Sequence, residues 1–166
     1  QRQILHRADR IDQPKAESGR RTMLEINPDI EIVALTERLR DAALAEQVAA
    51  ATVVLDCCDN FATRHAVNKA CVAAGVPLVS GAAIRFDGQV SVFNTSDPMS
   101  PCYHCLFPDG TDVEEVRCAT MGVFAPLTGI VGTMIGKLLL LDALTMAINS
   151  ISIPRDPGCA VCADRA

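Results

Sequence analysis

The chain has 166 residues, of which 49% are hydrophobic and 21% are charged. This balance indicates one globular domain with a core of its own rather than a disordered segment. The net charge of -5 at pH 7 argues against nucleic-acid binding, which usually depends on a basic surface. The apolar run from Val123 to Leu141 contains Pro126, Lys137 and several glycines, so we do not expect it to span a membrane.

Four elements are predicted in the first third of the chain. They are a helix from Lys15 to Ile26, a strand from Ile30 to Leu35, a helix from Asp41 to Ala50 and a strand from Thr52 to Asp56. Asn27-Pro28 ends the first helix, because a residue that precedes proline avoids the helical conformation. Asp41 is the predicted N-cap of the second helix. The short apolar run before Asp56 is typical of a buried parallel strand.

The remaining sequence predicts a mixed pattern with an irregular segment from Cys105 to about Val123. Its elements are a helix from Asn60 to Ala74, a strand from Pro77 to Ser80, a hairpin from Ile84 to Phe93, a short helix from Ala125 to Met134, and strands from Lys137 to Leu141 and Met146 to Ile153. Asn60 and Gly75 are the predicted cap and stop of the first of these helices. Asp87-Gly88 is the predicted hairpin turn. The order predicts an α/β fold, with a mostly parallel sheet and an antiparallel extension.

Two pairs of cysteines, Cys102-x-x-Cys105 and Cys159-x-x-Cys162, lie in turn-forming sequence. Such pairs can supply the four thiolates of a tetrahedral zinc site, which would bring the C-terminus back to the middle of the chain. The alternatives are two disulfides or a thioredoxin-like redox pair. Eight cysteines without a visible secretion signal favour reduced thiols and a cytoplasmic location. The redox motif belongs near the start of a βαβ unit, and neither pair is placed there.

Carboxylates follow the predicted strand that ends at Asp56. Ligands of open α/β sheets bind outside the carboxyl ends of the strands, so Asp56 and Asp59 are candidates to face a ligand or a cation. Oxygen ligands at this point could hold Mg²⁺ on nucleotide phosphates. The alternative is that Asp59 or Asn60 only caps the helix that follows, and the residues alone favour that alternative slightly.

Lys15 follows Pro14 at the predicted start of the first helix. A cation at this end is unfavourable for the helix dipole, which prefers anions there. We interpret the mismatch as a sign that Lys15 serves an anionic ligand. The alternative, a solvated surface lysine, is the commoner case for any single lysine.

Taken in order, these motifs resemble the ThiF/MoeB/HesA family, whose members are similar to the adenylating domain of ubiquitin-activating enzymes. The motifs are Gln1-Arg2-Gln3-Ile4-Leu5, Ile11-Asp12-Gln13-Pro14-Lys15, Asn27-Pro28, Leu55-Asp56-Cys57-Cys58-Asp59-Asn60, Cys102-Tyr103-His104-Cys105-Leu106-Phe107-Pro108 and Pro157-Gly158-Cys159-Ala160-Val161-Cys162. Each motif is weak alone, and the specificity lies in their order over nearly the whole chain.

The resemblance implies a Rossmann-like fold and an activity. Family members use ATP to adenylate the C-terminal glycine of a ubiquitin-like sulfur-carrier protein, which is then converted to a thiocarboxylate for thiamine or molybdopterin synthesis. In phosphate-centred chemistry of this kind the protein chiefly positions groups and neutralises charge. The resemblance further implies ATP, Mg²⁺ and structural zinc as cofactors. It implies a homodimer and, as a candidate partner, a sulfurtransferase.

The resemblance also assigns residues. Arg2 and Lys15 match the family residues that contact the nucleotide phosphates, with Gln3 beside Arg2. Asp59 matches the aspartate assigned to Mg²⁺, and Asn60 flanks it at the nucleotide, which overturns the capping alternative for Asp59. The knuckle cysteines match the family's structural zinc site, and they are Cys102, Cys105, Cys159 and Cys162.

Cys118 lies on a segment that resembles the crossover loop of the family, where a cysteine can link to the carrier or accept sulfur. Only a thiolate is a useful nucleophile, and Arg117 would lower the pKa of Cys118 while Glu114 and Glu115 would raise it. A covalent role and a dispensable one are left open. We expect three further cysteines to pack in or near the core as small hydrophobic residues, namely Cys57, Cys58 and Cys71.

The sequence departs from the family pattern in two places. It has no G-x-G-x-x-G, and it begins at Gln1, inside a motif that relatives reach after a glycine-rich nucleotide-binding half. A helix that normally follows Met134 in the family also has no counterpart here. We therefore expect one incomplete adenylating domain over residues 1–166, with an exposed sheet edge. We expect the isolated piece either to be poorly soluble or to pair with a partner that covers this edge. The alternatives are a non-catalytic, zinc-stabilised module that binds a carrier, and a nicotinamide-binding protein.

Overall fold

The structure is a computed structural model that describes residues 5–84, 87–109, 137–142 and 147–164. The predicted helix from Ala125 to Met134 and the irregular segment before it lie outside the described residues from position 110 onward. The chain divides into two compact units, Gln1–Leu39 and Arg40–Ala166. The prediction of one domain over residues 1–166 therefore stays a prediction.

The first unit contains a short 3-10 helix, Ala8–Arg10, and helix α1, Lys15–Ile26, which has the predicted bounds. Arg10 is buried and joins the two helices. Its guanidinium donates to the carbonyl of Ser18 at 2.9 Å and to the hydroxyl of Thr22 at 2.7 Å. It also forms an ion pair with Glu25 at 2.7 Å. These hydrogen bonds and the ion pair together offset the free-energy cost of burying the Arg10 cation.

The strand predicted from Ile30 to Leu35 is wrong. Its residues are irregular in the structure, and Val33 is 72% exposed. A strand needs a neighbour to satisfy its backbone groups, and no described strand pairs with this segment. One carbonyl of the segment, that of Ile32, instead accepts a hydrogen bond from the Arg20 side chain at 3.1 Å.

In its described residues, the second unit contains two helices of the α/β pattern, a short third helix and five strands. They are α2 (Asp41–Ala49), β1 (Val54–Asp56), α3 (Phe61–Ala74), β2 (Leu78–Ile84), β3 (Asp87–Phe93), α4 (Tyr103–Leu106), β4 (Lys137–Asp142) and β5 (Ala147–Ser152). Within the described ranges, no helix has the length and apolar character needed to cross a bilayer.

Helix α3 is bounded as the sequence predicts. The Asn60 side chain accepts a hydrogen bond from the backbone N–H of Thr63 at 2.9 Å, and Gly75 ends the helix with a left-handed φ of 66°. The predicted cap of α2 is wrong. Arg40 occupies the N-cap position without a side-chain cap, and Asp41 is the first helical residue, with a positive φ of 47°.

The five strands form one sheet in the order β1-β2-β3-β4-β5. Only β1 and β2 are parallel, while the other three neighbouring pairs are antiparallel. The described sheet is therefore not mostly parallel. Parallel neighbours need a crossover, which α3 supplies between β1 and β2. The short connections from β2 to β3 and from β4 to β5 give antiparallel pairs instead.

The prediction of a hairpin turn at Asp87-Gly88 is wrong. Ile84 pairs with Asp87, and Ala83 pairs with Gly88, so Asp87-Gly88 belongs to strand β3. The strong turn tendency of an Asp-Gly pair is overruled by this register. The register pairs Leu78 with Phe93 at the other end of the hairpin, and both side chains are fully buried.

The core lies where α2, α3 and α4 meet strands β2 and β3. Its buried members are Val48, Val67, Cys71, Val76, Leu78, Phe93 and Tyr103. Tyr103 contacts Phe93 edge to face, with ring centroids 6.2 Å apart. A second, smaller cluster is formed by buried cysteines from both knuckles.

Strand β1 lies at an edge of the described sheet and pairs on one side only. It is shorter than predicted, and Leu55 is 62% exposed, so the strand is not buried on both faces. The exposed edge expected from the sequence is therefore present among the described strands. Poor solubility stays a prediction.

Candidate functional site

The four knuckle cysteines come together, as their spacing predicts. All four sulfur atoms lie within 4.8 Å of one another. Cys102 Sγ lies 4.0 Å from Cys105 Sγ and 3.7 Å from Cys159 Sγ, and Cys105 Sγ lies 3.5 Å from Cys162 Sγ. A tetrahedron with Zn–S bonds of about 2.3 Å separates its sulfurs by about 3.8 Å. The donor set and its spacing therefore fit a tetrahedral thiolate site.

The site is largely closed to water, since Cys102, Cys159 and Cys162 are buried. Desolvation by burial raises the pKa of Cys102 above its ordinary value. A buried thiol of this kind stays protonated unless a cation replaces its proton. Without such a cation, Cys102 is therefore poorly suited to nucleophilic chemistry.

Asn68 connects helix α3 to the first knuckle and is fully buried. Its side-chain Nδ2 donates to Cys102 Sγ at 3.6 Å. Its Oδ1 accepts from the backbone N–H of Tyr103 at 3.0 Å. One amide therefore fixes both a ligand sulfur and the backbone beside it, as outer partners of metal ligands commonly do.

His104 lies between the first two ligands and contacts a third. Its Nδ1 is 3.4 Å from Cys159 Sγ, and its Nε2 accepts from the backbone N–H of Asp109 at 3.2 Å. Because Nε2 is the acceptor, we assign the ring proton to Nδ1, which then donates to the sulfur. This arrangement supports the ligand in the same way as Asn68 does.

The Asp109 carboxylate, which follows helix α4 in the chain, lies close to three basic side chains. Its carboxylate lies 3.2 Å from His65 Nε2, 3.7 Å from Lys69 Nζ and 3.8 Å from His104 Nε2. Burial lowers the pKa of His65, and Asp109 opposes that shift. His65 is therefore largely neutral at pH 7 and donates from Nε2 to the carboxylate, so α3 is joined to the residues that follow α4.

The second knuckle is shaped by its own polar groups. Asp156 Oδ1 accepts from the N–H of Gly158 at 2.8 Å, and the Asp156 carbonyl accepts from the N–H of Cys159 at 3.2 Å. Arg155 donates to the carbonyls of Cys162 and Ala163, each at 2.6 Å. These bonds fold the turn so that both sulfurs face the same point.

Asp56 does not face a ligand, and that expectation is wrong. The residue is 2% exposed. Its Oδ1 accepts from the N–H of Cys58 at 2.9 Å, and its Oδ2 lies 3.6 Å from Arg64 Nη1 and 3.4 Å from Ser80 Oγ. In the parallel pairing of β1 with β2, Asp56 lies opposite Ser80. The charge of the Asp56 carboxylate is therefore compensated by partners inside the protein.

Asp59 and Asn60 behave differently from Asp56. Asp59 is exposed, and its described side-chain contact is a long 3.5 Å hydrogen bond from Asn60 Nδ2. Asn60 caps α3, so the capping alternative holds for Asn60 and not for Asp59. The Asp59 carboxylate is accessible and is suited to bind a hydrated cation.

The other predicted site residues are not tested by the structure. Lys15 is exposed at the first position of α1, in the first unit, while Asp59 and Asn60 belong to the second. Arg2, Gln3 and Cys118 lie outside the described residues. A common nucleotide site for these residues stays a prediction.

The remaining described cysteines are not equivalent. Cys71 is fully buried, as expected, but Cys57 is exposed. Burial raises the pKa of Cys58 to about 12, and the neighbouring Asp56 adds to the shift. Burial likewise raises the pKa of Cys71 to about 11. Neither Cys58 nor Cys71 is a useful nucleophile at neutral pH.

Sequence reasoning missed three residues that organise the site, namely Arg64, Asn68 and His104. His104 could have been noticed, because it lies inside a C-x-x-C knuckle. Arg64 and Asn68 had a weaker signal. They lie four and eight residues after Asn60, on the face of α3 that carries buried residues, and polar residues on such a face need partners.

Two kinds of comparison place the chain among known proteins. The ThiF family model matches residues 1–158. A molybdopterin-synthase adenylyltransferase of Escherichia coli is 41% identical over 181 residues, covering 98% of this chain and 71% of the relative. A sulfur carrier protein ThiS adenylyltransferase of the same organism is 40% identical over 177 residues, covering 98% of the chain and 70% of the relative.

The first of these alignments is longer than the chain of 166 residues. It therefore includes positions at which this chain has no residue. This is consistent with the predicted loss of a segment after Met134, which stays a prediction.

Among solved structures, Escherichia coli MccB with ATP matches with a TM-score of 0.75 and 20% sequence identity. The match covers 98% of this chain, and the chain spans about half the length of that protein, 55%. At this identity the likeness shows the fold alone. The sequence matches go further, because the family model covers most of the chain. The structure also contains the expected cysteine cluster and the capped helix after Asp59. The chain belongs to the ThiF family.

Proposed function

We propose that the chain is the adenylating domain of an enzyme that uses ATP to adenylate the C-terminal glycine of a ubiquitin-like sulfur-carrier protein. The observation that carries the proposal is the identity of 40–41% with two relatives named as adenylyltransferases of this kind. The exposed carboxylate of Asp59 at the start of α3 supports the same assignment. Neither relative decides between a thiamine and a molybdopterin pathway.

The proposed chemistry needs positive charge and a metal ligand around the phosphates of ATP. Lys15 and Arg2 would contact the phosphates, with Gln3 beside Arg2, and Asn60 would flank Asp59 at the nucleotide. Asp59 would hold Mg²⁺, which supplies charge neutralisation at the phosphate oxygens when it is bound. The chain's own groups then orient the α-phosphate toward the carrier carboxylate, and pyrophosphate leaves.

In this proposal the cysteine cluster holds structural zinc and takes no part in the reaction. Four thiolate ligands leave no coordination position open for a substrate. We further propose that the Cys118 thiolate attacks the acyl adenylate, so that a thioester to the carrier forms and AMP leaves, or takes the outer sulfur of a persulfide, whose inner sulfur leaves as a thiolate. We also propose that a sulfurtransferase is a partner and that the protein is a homodimer. The eight cysteines support a cytoplasmic location.

Pyrophosphate exchange into ATP tests the proposal. Exchange by the protein should require a carrier that ends in Gly-Gly, because the acyl adenylate forms only on that carboxylate. Lys15→Ala and Asp59→Ala should each lower the exchange rate by about 100-fold or more, since each removes a charge that stabilises the transition state. Lys69→Ala is the matched control, because Lys69 is an exposed lysine that pairs with Asp109 at 3.7 Å.

Near-normal exchange in both variants would remove the site assignment. Carrier binding without any exchange by the wild-type protein would support the non-catalytic binding module instead.

A further inference from the structure

We propose that Arg64 is a positioning residue for Asp59, holding the segment Cys57–Asp59 so that the Asp59 carboxylate is presented to a metal–nucleotide complex. This inference deepens the proposed function and rests on it. None of the sequence motifs assigned a role to Arg64. Its side chain is buried, since the residue is only 8% exposed, so it does not reach solvent as a phosphate ligand would.

The contacts of Arg64 converge on the segment that precedes Asp59. Nη2 donates to the carbonyl of Cys58 and to the carbonyl of Gly81, the latter at 3.0 Å. Nη1 donates to Ser80 Oγ at 2.9 Å and lies 3.6 Å from Asp56 Oδ2. One guanidinium therefore ties the start of α3 to strand β2 and to the residues after strand β1.

Both backbone groups of Cys58 are fixed by this arrangement. Its carbonyl accepts from Arg64, and its N–H donates to Asp56 Oδ1 at 2.9 Å. On the other side, Asn60 is fixed because it caps α3 through the N–H of Thr63. Asp59 lies between two immobilised neighbours, and its own carboxylate is exposed. The rigid backbone and the accessible side chain together are what a preorganised ligand needs.

Charge neutralisation alone does not explain Arg64. A buried ion pair is weak evidence for stability, because desolvation offsets the attraction between the two charges. The Arg64–Asp56 separation of 3.6 Å is also long for a charge-assisted hydrogen bond. Most of the hydrogen bonds from Arg64 are donated to neutral oxygens instead. The planar guanidinium therefore acts mainly by holding these groups in fixed positions.

Arg64→Lys tests the inference, because lysine keeps the positive charge beside Asp56 but donates from a single nitrogen, whereas Arg64 reaches its acceptors with both Nη1 and Nη2. Two measurements apply to the full chain with zinc bound. The first is the dissociation constant of Mn²⁺ in the presence of ATP, from the paramagnetic resonance of free Mn²⁺. The second is the hydrogen-exchange rate of the Cys58 amide.

We expect Arg64→Lys to weaken Mn²⁺ binding by about tenfold or more and to speed exchange of the Cys58 amide by about tenfold. Asp59→Ala should weaken Mn²⁺ binding and leave that amide unchanged. Arg64→Lys in the Asp59→Ala background should add no further loss of Mn²⁺ affinity, because a positioning residue acts through the group it positions.

Arg10→Lys is the matched control. Arg10 has the same 8% exposure as Arg64 and similar donor contacts in the first unit, so its substitution should lower stability without changing Mn²⁺ affinity. Unchanged Mn²⁺ affinity in Arg64→Lys, or an additive loss in the double variant, would overturn the inference. A wild-type protein that binds no Mn²⁺ with ATP would overturn the proposed nucleotide site, and the amide exchange would then decide alone whether Arg64 holds the segment.

Discussion

At the scale of single residues, the cysteine cluster depends on polar groups that are not ligands. Four thiolates around one divalent cation carry a net negative charge, which is costly in a closed site. Asn68 and His104 each direct a donor at a ligand sulfur. Hydrogen bonds to a charged group favour the charged form, so both residues should strengthen metal binding.

Asn68→Asp should weaken Zn²⁺ binding by about 10- to 100-fold, the usual range for loss of an outer partner. The variant keeps the shape of the side chain and an oxygen for the Tyr103 amide, but it replaces the donor to Cys102 with a negative charge. Competition with a chromophoric chelator measures the affinity, and the thiolate-to-metal absorption of Co²⁺ reports the ligand geometry.

Ala66→Asp is the control for that experiment. It adds the same charge to the same helix at an exposed position, and Zn²⁺ affinity should hardly change. Equal affinities in Asn68→Asp and the wild type would show that the amide has no influence on the metal.

At the scale of elements, helix α3 organises most of what has been described. Its first turn follows Asp59, and one face carries Arg64 and Asn68 toward the sheet and the cysteine cluster. His65 turns toward Asp109. The helix must therefore end at a defined place and orientation, and the left-handed Gly75 provides that end.

Gly75→Ala should lower the free energy of unfolding by about 1 kcal/mol, because a Cβ is disfavoured in the left-handed conformation. Steric contact with neighbouring atoms does not contribute to this cost, since nothing lies within 4 Å of a Cβ built at this position. Chemical denaturation followed by circular dichroism measures the change. Gly75→Asn should cost less, because asparagine tolerates this conformation.

Gly19→Ala is the control, because the same substitution should change the free energy of unfolding in the opposite direction at this position. Gly19 lies inside α1, and a Cβ there also meets open space. Alanine should stabilise this helix by up to about 1 kcal/mol. The account of Gly75 fails if both alanine variants shift stability in the same direction.

At the scale of the whole molecule, the cysteine cluster joins parts of the chain that are far apart in sequence, since Cys102 and Cys159 are separated by 57 positions. The described sheet has an open edge at β1, and its apolar core is small. Structural zinc contributes about 10–16 kcal/mol to folding in small peptides, comparable with the net stability of an entire domain.

Complete removal of metal with a strong chelator should lower the melting temperature by at least about 10 °C. Addition of Zn²⁺ should restore it. The same chelator saturated with Zn²⁺ beforehand is the control for direct effects on the protein. A melting curve that is unchanged, in a sample shown by elemental analysis to be free of metal, would contradict a structural role for the cluster.

Features with a local cause were predictable from the sequence. A C-x-x-C spacing limits where two sulfurs can point, an asparagine before a helix caps it, and a glycine after a helix ends it. The bounds of α1 and α3, the cap at Asn60 and the meeting of the four knuckle cysteines followed from such signals. The family itself followed from the order of the motifs.

Features that depend on a distant partner were decided by tertiary structure alone. The segment from Ile30 to Leu35 has the pattern of a strand but no described neighbour to pair with. The position of Asp56 after a strand suggests a ligand-binding residue, but its carboxylate is buried and interacts with Arg64 and Ser80. The turn tendency of Asp87-Gly88 is overruled by a register that pairs buried residues across the hairpin. In each case the local preference is small, and the free energy of pairing or burial, which involves residues far along the chain, determines the outcome.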